Sequence, residues 1–361
     1  MELTRTQVEA ILASIQDRYL GQDLITAKMV KELTVAGDQV TLKLVQGYPA
    51  GAYKAELQAE ITDKLKQAGV RVAQVQIDTV INAHAVQKSV KRHDGIKNII
   101  AVASGKGGVG KSTTAVNVAL ALLADGAKVG ILDADIYGPS QPRMLGISGQ
   151  PLSEDGRTLR PMQNHGLKAM SIGFLIEEDT PMIWRGPMVT QALEQLLNDT
   201  QWGDLDYLVV DLPPGTGDIQ LTLSQKIPVS GAIIVTTPQD IALLDARKGL
   251  KMFEKVEVPI LGVVENMSMH VCSNCGHVEH IFGSGGGESM AEQYKVTYLG
   301  GLPLDIQIRE QADSGNPTVV ADPQGKIAAL YHEIARKAAA RLARQTKDYS
   351  AKFPTIKIQN I

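Results

Sequence analysis

The spacing of hydrophobic positions changes along this chain, and each change predicts an element. Val8, Ile11, Leu12 and Ile15 recur on one helical face, and Thr6 with Glu9 reads as its capping box. After the turn signal Gly37-Asp38, Val40, Leu42 and Leu44 alternate as in a half-buried strand. Leu57, Ile61 and Leu65 then return every fourth residue, which predicts a second helix, and 70–81 reads as another strand. Helix, strands, helix, strand describes a small α+β unit over 1–90.

Beyond a polar, basic linker at 91–97 the pattern becomes one of continuous apolar runs. They lie at 98–103, 129–132, 205–210, 231–236 and 260–264, separated by helical stretches. Runs with no polar alternation suit strands covered on both faces. The expected fold is α/β, a doubly wound, mostly parallel sheet spanning 98–345 and preceded by the small α+β unit. In such a sheet ligands sit at the carboxyl ends of the strands. A final helix over 325–344 carries Ile327, Tyr331, Ile334, Ala338 and Leu342 on one face and Arg336, Lys337, Arg341 and Arg344 on the other. Its apolar face lacks Trp and Phe, so packing on the sheet is expected over a membrane anchor. The tail at 346–361 shows no pattern.

The first apolar run of the sheet opens into Gly105-Lys106-Gly107-Gly108-Val109-Gly110-Lys111-Ser112-Thr113, which fits the phosphate-binding loop G-x-x-x-x-G-K-[ST]. A strand precedes it and a helical pattern with Val116, Leu120 and Leu123 follows, which is the context the motif requires. The glycines let the backbone turn its N–H groups onto an anion, and the helix N-terminus adds positive potential. Lys111 is placed to reach the β- and γ-phosphates and the Ser112 hydroxyl to hold Mg²⁺. Two further strand ends carry acids. Leu132-Asp133-Ala134-Asp135 offers two carboxylates for Mg²⁺-bound water and for an attacking water. Asp211 ends an apolar strand ahead of Pro213-Pro214-Gly215-Thr216-Gly217-Asp218, the Walker B pattern, and is expected to hold Mg²⁺. Gly215 to Asp218 reads as the segment that senses the γ-phosphate.

Lys106, just after the first glycine, is not required by a plain phosphate loop. The form K-G-G-x-G-K-[ST] resembles the deviant Walker A loop of the septum-positioning, plasmid-partition, arsenite-pump and nitrogenase-reductase ATPases. That resemblance implies that Lys106 reaches a partner subunit's nucleotide and that Asp135 is required for hydrolysis. It also implies that Asn266 pairs with the adenine edge while Pro303 covers the base.

Composition narrows the partners. The 361 residues carry a net charge of −3, with 4% aromatic residues, which argues against a nucleic-acid binder. No apolar run has membrane-spanning length and the first residues carry no signal pattern, so a cytoplasmic protein with no membrane partner is expected.

Both cysteines lie in Cys272-Ser273-Asn274-Cys275. C-x-x-C supplies half of a tetrahedral thiolate site. Three completions follow: a symmetric homodimer giving four cysteines for a [4Fe–4S] cluster, a zinc site completed by His270, His277 or His280, or a redox dithiol. The nearby run Gly283 to Gly287 reads as a flexible loop.

The loop, Asp133 to Ser140, Trp184 to Met188, Pro213 to Asp218, and Glu265-Asn266-Met267-Ser268 followed by the cysteine pair occur in one order. Together they resemble the Mrp/ApbC iron–sulfur cluster carrier ATPases of bacteria. The resemblance implies slow ATP hydrolysis and a [4Fe–4S] cluster shared between two subunits through Cys272 and Cys275. It further implies apo iron–sulfur clients and an assembly scaffold as partners. Residues 1–90 resemble the iron–sulfur-assembly-like module often fused ahead of this ATPase. That module often carries Asp-Pro-Glu and a cysteine; here stand Gln16-Asp17-Arg18 and no cysteine, so the unit reads as a docking surface. Two other functions share these features: a positioning ATPase on membrane or DNA, and a zinc-stabilised nucleotide-binding adaptor.

Overall fold

Alternating burial in the strand at 39–46 shows how the N-terminal unit closes. The computed structural model describes residues 4–88, 90–176 and 186–348, so Trp184, Arg185 and nearly all of the tail lie outside the described residues. The unit runs α1 (Arg5–Ala13), β1 (Gln16–Asp17), β2 (Gln22–Asp23), β3 (Val30–Ala36), β4 (Gln39–Gln46), α2 (Tyr53–Gln67) and β5 (Val72–Thr79). β1 and β2 pair as a two-residue ribbon, while β4 is central in a sheet of order β3-β4-β5. Val40, Leu42 and Leu44 are buried in one core with Leu57, Ile61 and Leu65 of α2, which packs on β5. The cap of α1 is not where the sequence pattern put it. Thr4 is the N-cap and Gln7 closes the box, whereas Glu9 pairs on the surface with Arg5 at 2.8 Å. The glutamine amide does the same job as a glutamate here, which hid the earlier start.

Next come β6 (Ile96–Ala103), α3 (Lys111–Ala124), β7 (Val129–Asp133), α4 (Gln141–Met144), β8 (Met162–Asn164), β9 (Leu167–Ser171), α5 (Gly186–Asp199) and β10 (Leu205–Asp211). They are followed by α6 (Asp218–Lys226), β11 (Gly231–Thr236), α7 (Asp240–Lys255), β12 (Ile260–Val271), β13 (Val278–Glu279), α8 (Gly286–Tyr294), β14 (Tyr298–Pro303), α9 (Ile306–Asp313), α10 (Thr318–Ala321) and α11 (Lys326–Ala343). β14, β12, β11, β6, β10, β7 and β9 form a parallel sheet, with β8 antiparallel on one edge and β13 antiparallel to the end of β12. β6 is central because Ile99, Ile100, Ala101 and Val102 are apolar on both faces and fully covered. Burying each branched side chain contributes about 1.5–3 kcal/mol. The strand starts at Ile96, two residues into the expected linker, because Ile96 pairs with Leu205.

The two units meet on α11. Tyr331, Ile334, Ala338 and Leu342 are buried, and α11 packs on α3 and β14. On its other side Arg336 grips Asp125 through two bonds of 2.6 and 2.8 Å and touches the Tyr19 hydroxyl at 3.5 Å. Tyr19 donates to Glu333 at 2.9 Å, and Arg344 donates to the Leu20 carbonyl at 3.1 Å. The anchor reading of α11 fails for these two arginines, which join the units. Burial alone would raise Asp125, but hydrogen bonds from His332 and Arg336 outweigh it and hold the carboxyl below its ordinary range. Asp125→Asn leaves a largely covered guanidinium without its counter-charge and is expected to lower stability by about 3 kcal/mol, read from urea midpoints. The sign of the pH dependence follows. A depressed carboxyl stabilises above its ordinary value, and that contribution is lost as pH falls through the folded value. The gap between variant and wild type should therefore shrink in acid.

Candidate nucleotide and metal site

The phosphate loop leaves β6 and lies flat on α7. A Cβ at Gly105 would overlap the Asp245 carbonyl, so the chain passes this point only as glycine. Gly110 has φ +82° and caps α3, so the helix begins at Lys111 rather than at Thr113. The start of α3 thus presents the amides that follow a left-handed glycine, a geometry suited to an anion. Gly107, Gly108 and Lys106 are exposed along the loop, with Val109 turned into the core. The Gly215 amide donates to the Ser104 carbonyl at 3.0 Å, which ties the Walker B loop to the phosphate loop.

Below the loop, three carboxylates gather around one ammonium. Lys111 is 6% exposed; its Nζ donates to Asp211, stands 3.7 Å from Asp135, and reaches the Ser112 hydroxyl at 3.1 Å. Asp211 is fully covered and also accepts from Gln141 Nε2 at 2.9 Å; the same amide reaches the Ser112 carbonyl at 3.1 Å. Asp133 accepts the amides of Asp135, Ser140 and Gln141 at 3.1, 2.9 and 3.0 Å and the Ser171 hydroxyl at 3.2 Å. Burial first, then the nearby Asp211 charge, pushes Asp133 upward. Asp135 is raised by burial, against the pull of Lys111. A cluster of hard oxygen donors with one cation fits Mg²⁺.

Asn266 stands against this loop. Its Nδ2 donates to the Val109 carbonyl at 2.9 Å, and a Cβ on Gly110 would overlap that nitrogen. An amide has two N–H groups and an oxygen, so one N–H and the oxygen remain for a base edge. Pro303 is the last residue of β14 rather than part of a loop beyond it; the next residue, Leu304, donates its amide to Met269 at 2.7 Å.

β12 runs seven residues past the expected end at Val264 and delivers the cysteines. Val271 pairs with Val278, the Cys272 amide donates to the His277 carbonyl at 2.9 Å, and the Gly276 amide returns to the Cys272 carbonyl at 2.8 Å. The tight turn aims the amides of Cys275 and Asn274 at the Cys272 sulfur and holds its thiol below the usual range, favouring the thiolate that binds metal. Cys272 is half-buried and Cys275 exposed. Val271, Val278 and Ile281 are 43%, 47% and 54% exposed around them. His270 Nδ1 donates to the Leu304 carbonyl at 3.0 Å and His280 Nδ1 to the Ser268 carbonyl at 2.6 Å. Among the described residues no His, Asp or Glu side chain joins the two cysteines of the hairpin to make a three-ligand metal site.

A family model described as NUBPL iron-transfer P-loop NTPase matches residues 95–339, and one described as iron-sulfur cluster assembly protein matches 5–77. The chain belongs to the iron-transfer P-loop NTPase family. An Escherichia coli relative named iron-sulfur cluster carrier protein is 52% identical, covering 94% of this chain and 93% of its own. The mouse iron-sulfur cluster transfer protein NUBPL is 54% identical over 69% of this chain and 79% of its own. Among solved structures, a nucleotide-binding protein of Archaeoglobus fulgidus in complex with ADP is 38% identical with a TM-score of 0.56, covering 64% of this chain and 90% of that one.

Within this family member, three contacts were not legible beforehand. Gln141 bridges Asp211 and Ser112, Ser171 supports Asp133, and Glu265 grips the glycine run after the cysteines. Gly286 and Gly287 open α8, which corrects the loop reading for these two residues, while Gly283 to Gly285 stay outside the helix. Only Glu265 stood in a quoted motif, without an assigned role. In the N-terminal unit, buried Asp17 accepts the Tyr48 hydroxyl at 2.8 Å and the Leu20 amide at 2.7 Å, a structural role.

Proposed function

We propose that this chain is an ATP-driven iron–sulfur cluster carrier, its cargo a [4Fe–4S] cluster held between two copies and passed to apo-proteins. The carrying observation is the cysteine pair: one thiolate-favouring half-site on an exposed hairpin, at the end of a strand that also touches the phosphate loop. Half a ligand set on an apolar, exposed edge is completed by a second copy of itself.

Ser112, Asp135 and Asp211 would hold Mg²⁺, which neutralises phosphate charge. A triphosphate in the loop competes with Asp211 for Lys111, moving that cation onto the β- and γ-oxygens. Asp135 orients the attacking water, and Lys106, exposed at the loop, supplies a second cation to the partner copy's γ-phosphate. Asn266 and Pro303 address the adenine. The N-terminal unit, fixed on α11, is the docking surface for clients or the scaffold.

Iron, acid-labile sulfide and zinc in anaerobically purified protein test the reading. About two iron and two sulfide per monomer are expected, one four-iron cluster per two chains. One zinc per chain without sulfide sinks it in favour of the adaptor.

A further inference from the structure

Two consecutive residues of β12 hold different parts of the molecule. Asn266 bonds the phosphate loop at Val109. Glu265, 1% exposed, accepts the backbone N–H of Gly285 at 3.2 Å and that of Gly287. Gly285 caps α8 with φ +74°. This glycine run is the return arm of the cysteine hairpin, and the same arm is tied again where His280 meets the Ser268 carbonyl. Between the two attachments Met267 takes a left-handed φ of +57°, and the register with β14 breaks there. Among the described residues no lysine or arginine forms an ion pair with Glu265. A carboxylate buried on backbone amides alone is stabilised by charge-assisted hydrogen bonds and the α8 N-terminus, and it fixes the position of whatever those amides belong to.

We propose that Glu265 is a positioning residue that couples nucleotide at the phosphate loop to the geometry of the Cys272–Cys275 hairpin. The inference rests on the reading of the two sites as nucleotide and cargo sites. A base or phosphate that shifts Val109 or Asn266 moves β12 at the adjacent Glu265. The carboxylate passes that shift to Gly285 and Gly287, and through the arm to the cysteines.

The chain has two cysteines, so a thiol reagent reports on this hairpin alone. The experiment follows the reaction of metal-free, full-length protein with an aromatic disulfide, with and without Mg²⁺ and a non-hydrolysable ATP analogue. In wild type the analogue should change the rate by about fivefold or more, the size of an ordinary coupling. Glu265→Gln replaces one of the two accepting oxygens with an N–H that faces a backbone donor, so one of the two attachments is lost; it should still bind the analogue but with thiol rates that no longer depend on it. Gly287→Ala is the second variant. Its Cβ would lie 2.8 Å from Glu265 Oε2 and displaces the carboxylate without altering charge. It should uncouple in the same way. A wild type whose thiols ignore nucleotide, or variants that bind the analogue and keep the full effect, overturns the proposal. Failure of the carrier reading shows separately, in iron and sulfide content, which this assay does not use.

Discussion

Lys111→Ala is expected to lower ATP turnover by at least about 10²–10³-fold, the loss typical for removing one preorganised charge-stabilising donor. The same change should weaken the fold. Among the described residues the Lys111 ammonium is the cation paired with Asp211 and Asp135, and buried Asp133 is the register neighbour of Asp211 on β7. Removing one partner from a buried pair costs about 3–5 kcal/mol. Acid relieves this cost, because Asp133 and Asp135 are raised above the ordinary carboxylate value. A raised carboxyl binds its proton in the folded state first, so stability falls as pH rises from the ordinary value through the folded one. Urea midpoints at pH 5 and pH 8 should differ more in the variant than in wild type. A variant as stable as wild type at pH 8 would show that Lys111 does not hold the carboxylates together. Retained turnover would remove Lys111 from the nucleotide site.

Cys272→Ala and Cys275→Ala are each expected to abolish cluster binding, from about two iron and two sulfide per monomer to near zero. One missing thiolate per copy removes two of the four ligands of a shared cluster. Stability should change by less than about 0.5 kcal/mol, because Cys272 is half-buried, Cys275 is exposed, and the turn is held by backbone bonds. Nucleotide binding should survive in both. Iron content, absorbance and melting curves on the same preparations separate these outcomes. Iron retained by either variant would mean that other groups hold it, and loss of fold would mean that the hairpin has a structural part that its exposure does not suggest.

The two predictions differ because the sites were legible to different degrees. The phosphate loop was legible as a motif because its parts are local: a strand, a run of glycines, a lysine and a helix start are contiguous in the chain. Asp135 and Asp211 were readable as acids at or just past strand ends, and the structure brings both to Lys111. The cysteine pair was readable as half a site, and the choice between zinc, dithiol and shared cluster stayed open. His270 and His280 lie within ten residues of the cysteines in sequence, yet the structure turns both onto backbone carbonyls. The cap of α1 and the start of β6 were misplaced by two residues because a glutamine serves as a glutamate and because a linker residue finds a strand partner.

By itself the sequence determined the period of each element, the doubly wound parallel sheet, the small α+β unit ahead of it, and which residue types stand at the strand ends. Those follow from short-range sterics and hydrophobic spacing, which every segment carries in its own residues. Tertiary structure alone decided that Gln141 bridges Asp211 and Ser112, that Arg336 and Arg344 join the two units through Tyr19 and Leu20, and that Glu265 and Asn266 hold the cysteine arm and the phosphate loop from adjacent positions. Each of these joins segments far apart in the chain. A buried charge or amide takes whichever partner the closed sheet brings within 3 Å, and no pattern in the surrounding residues records that choice.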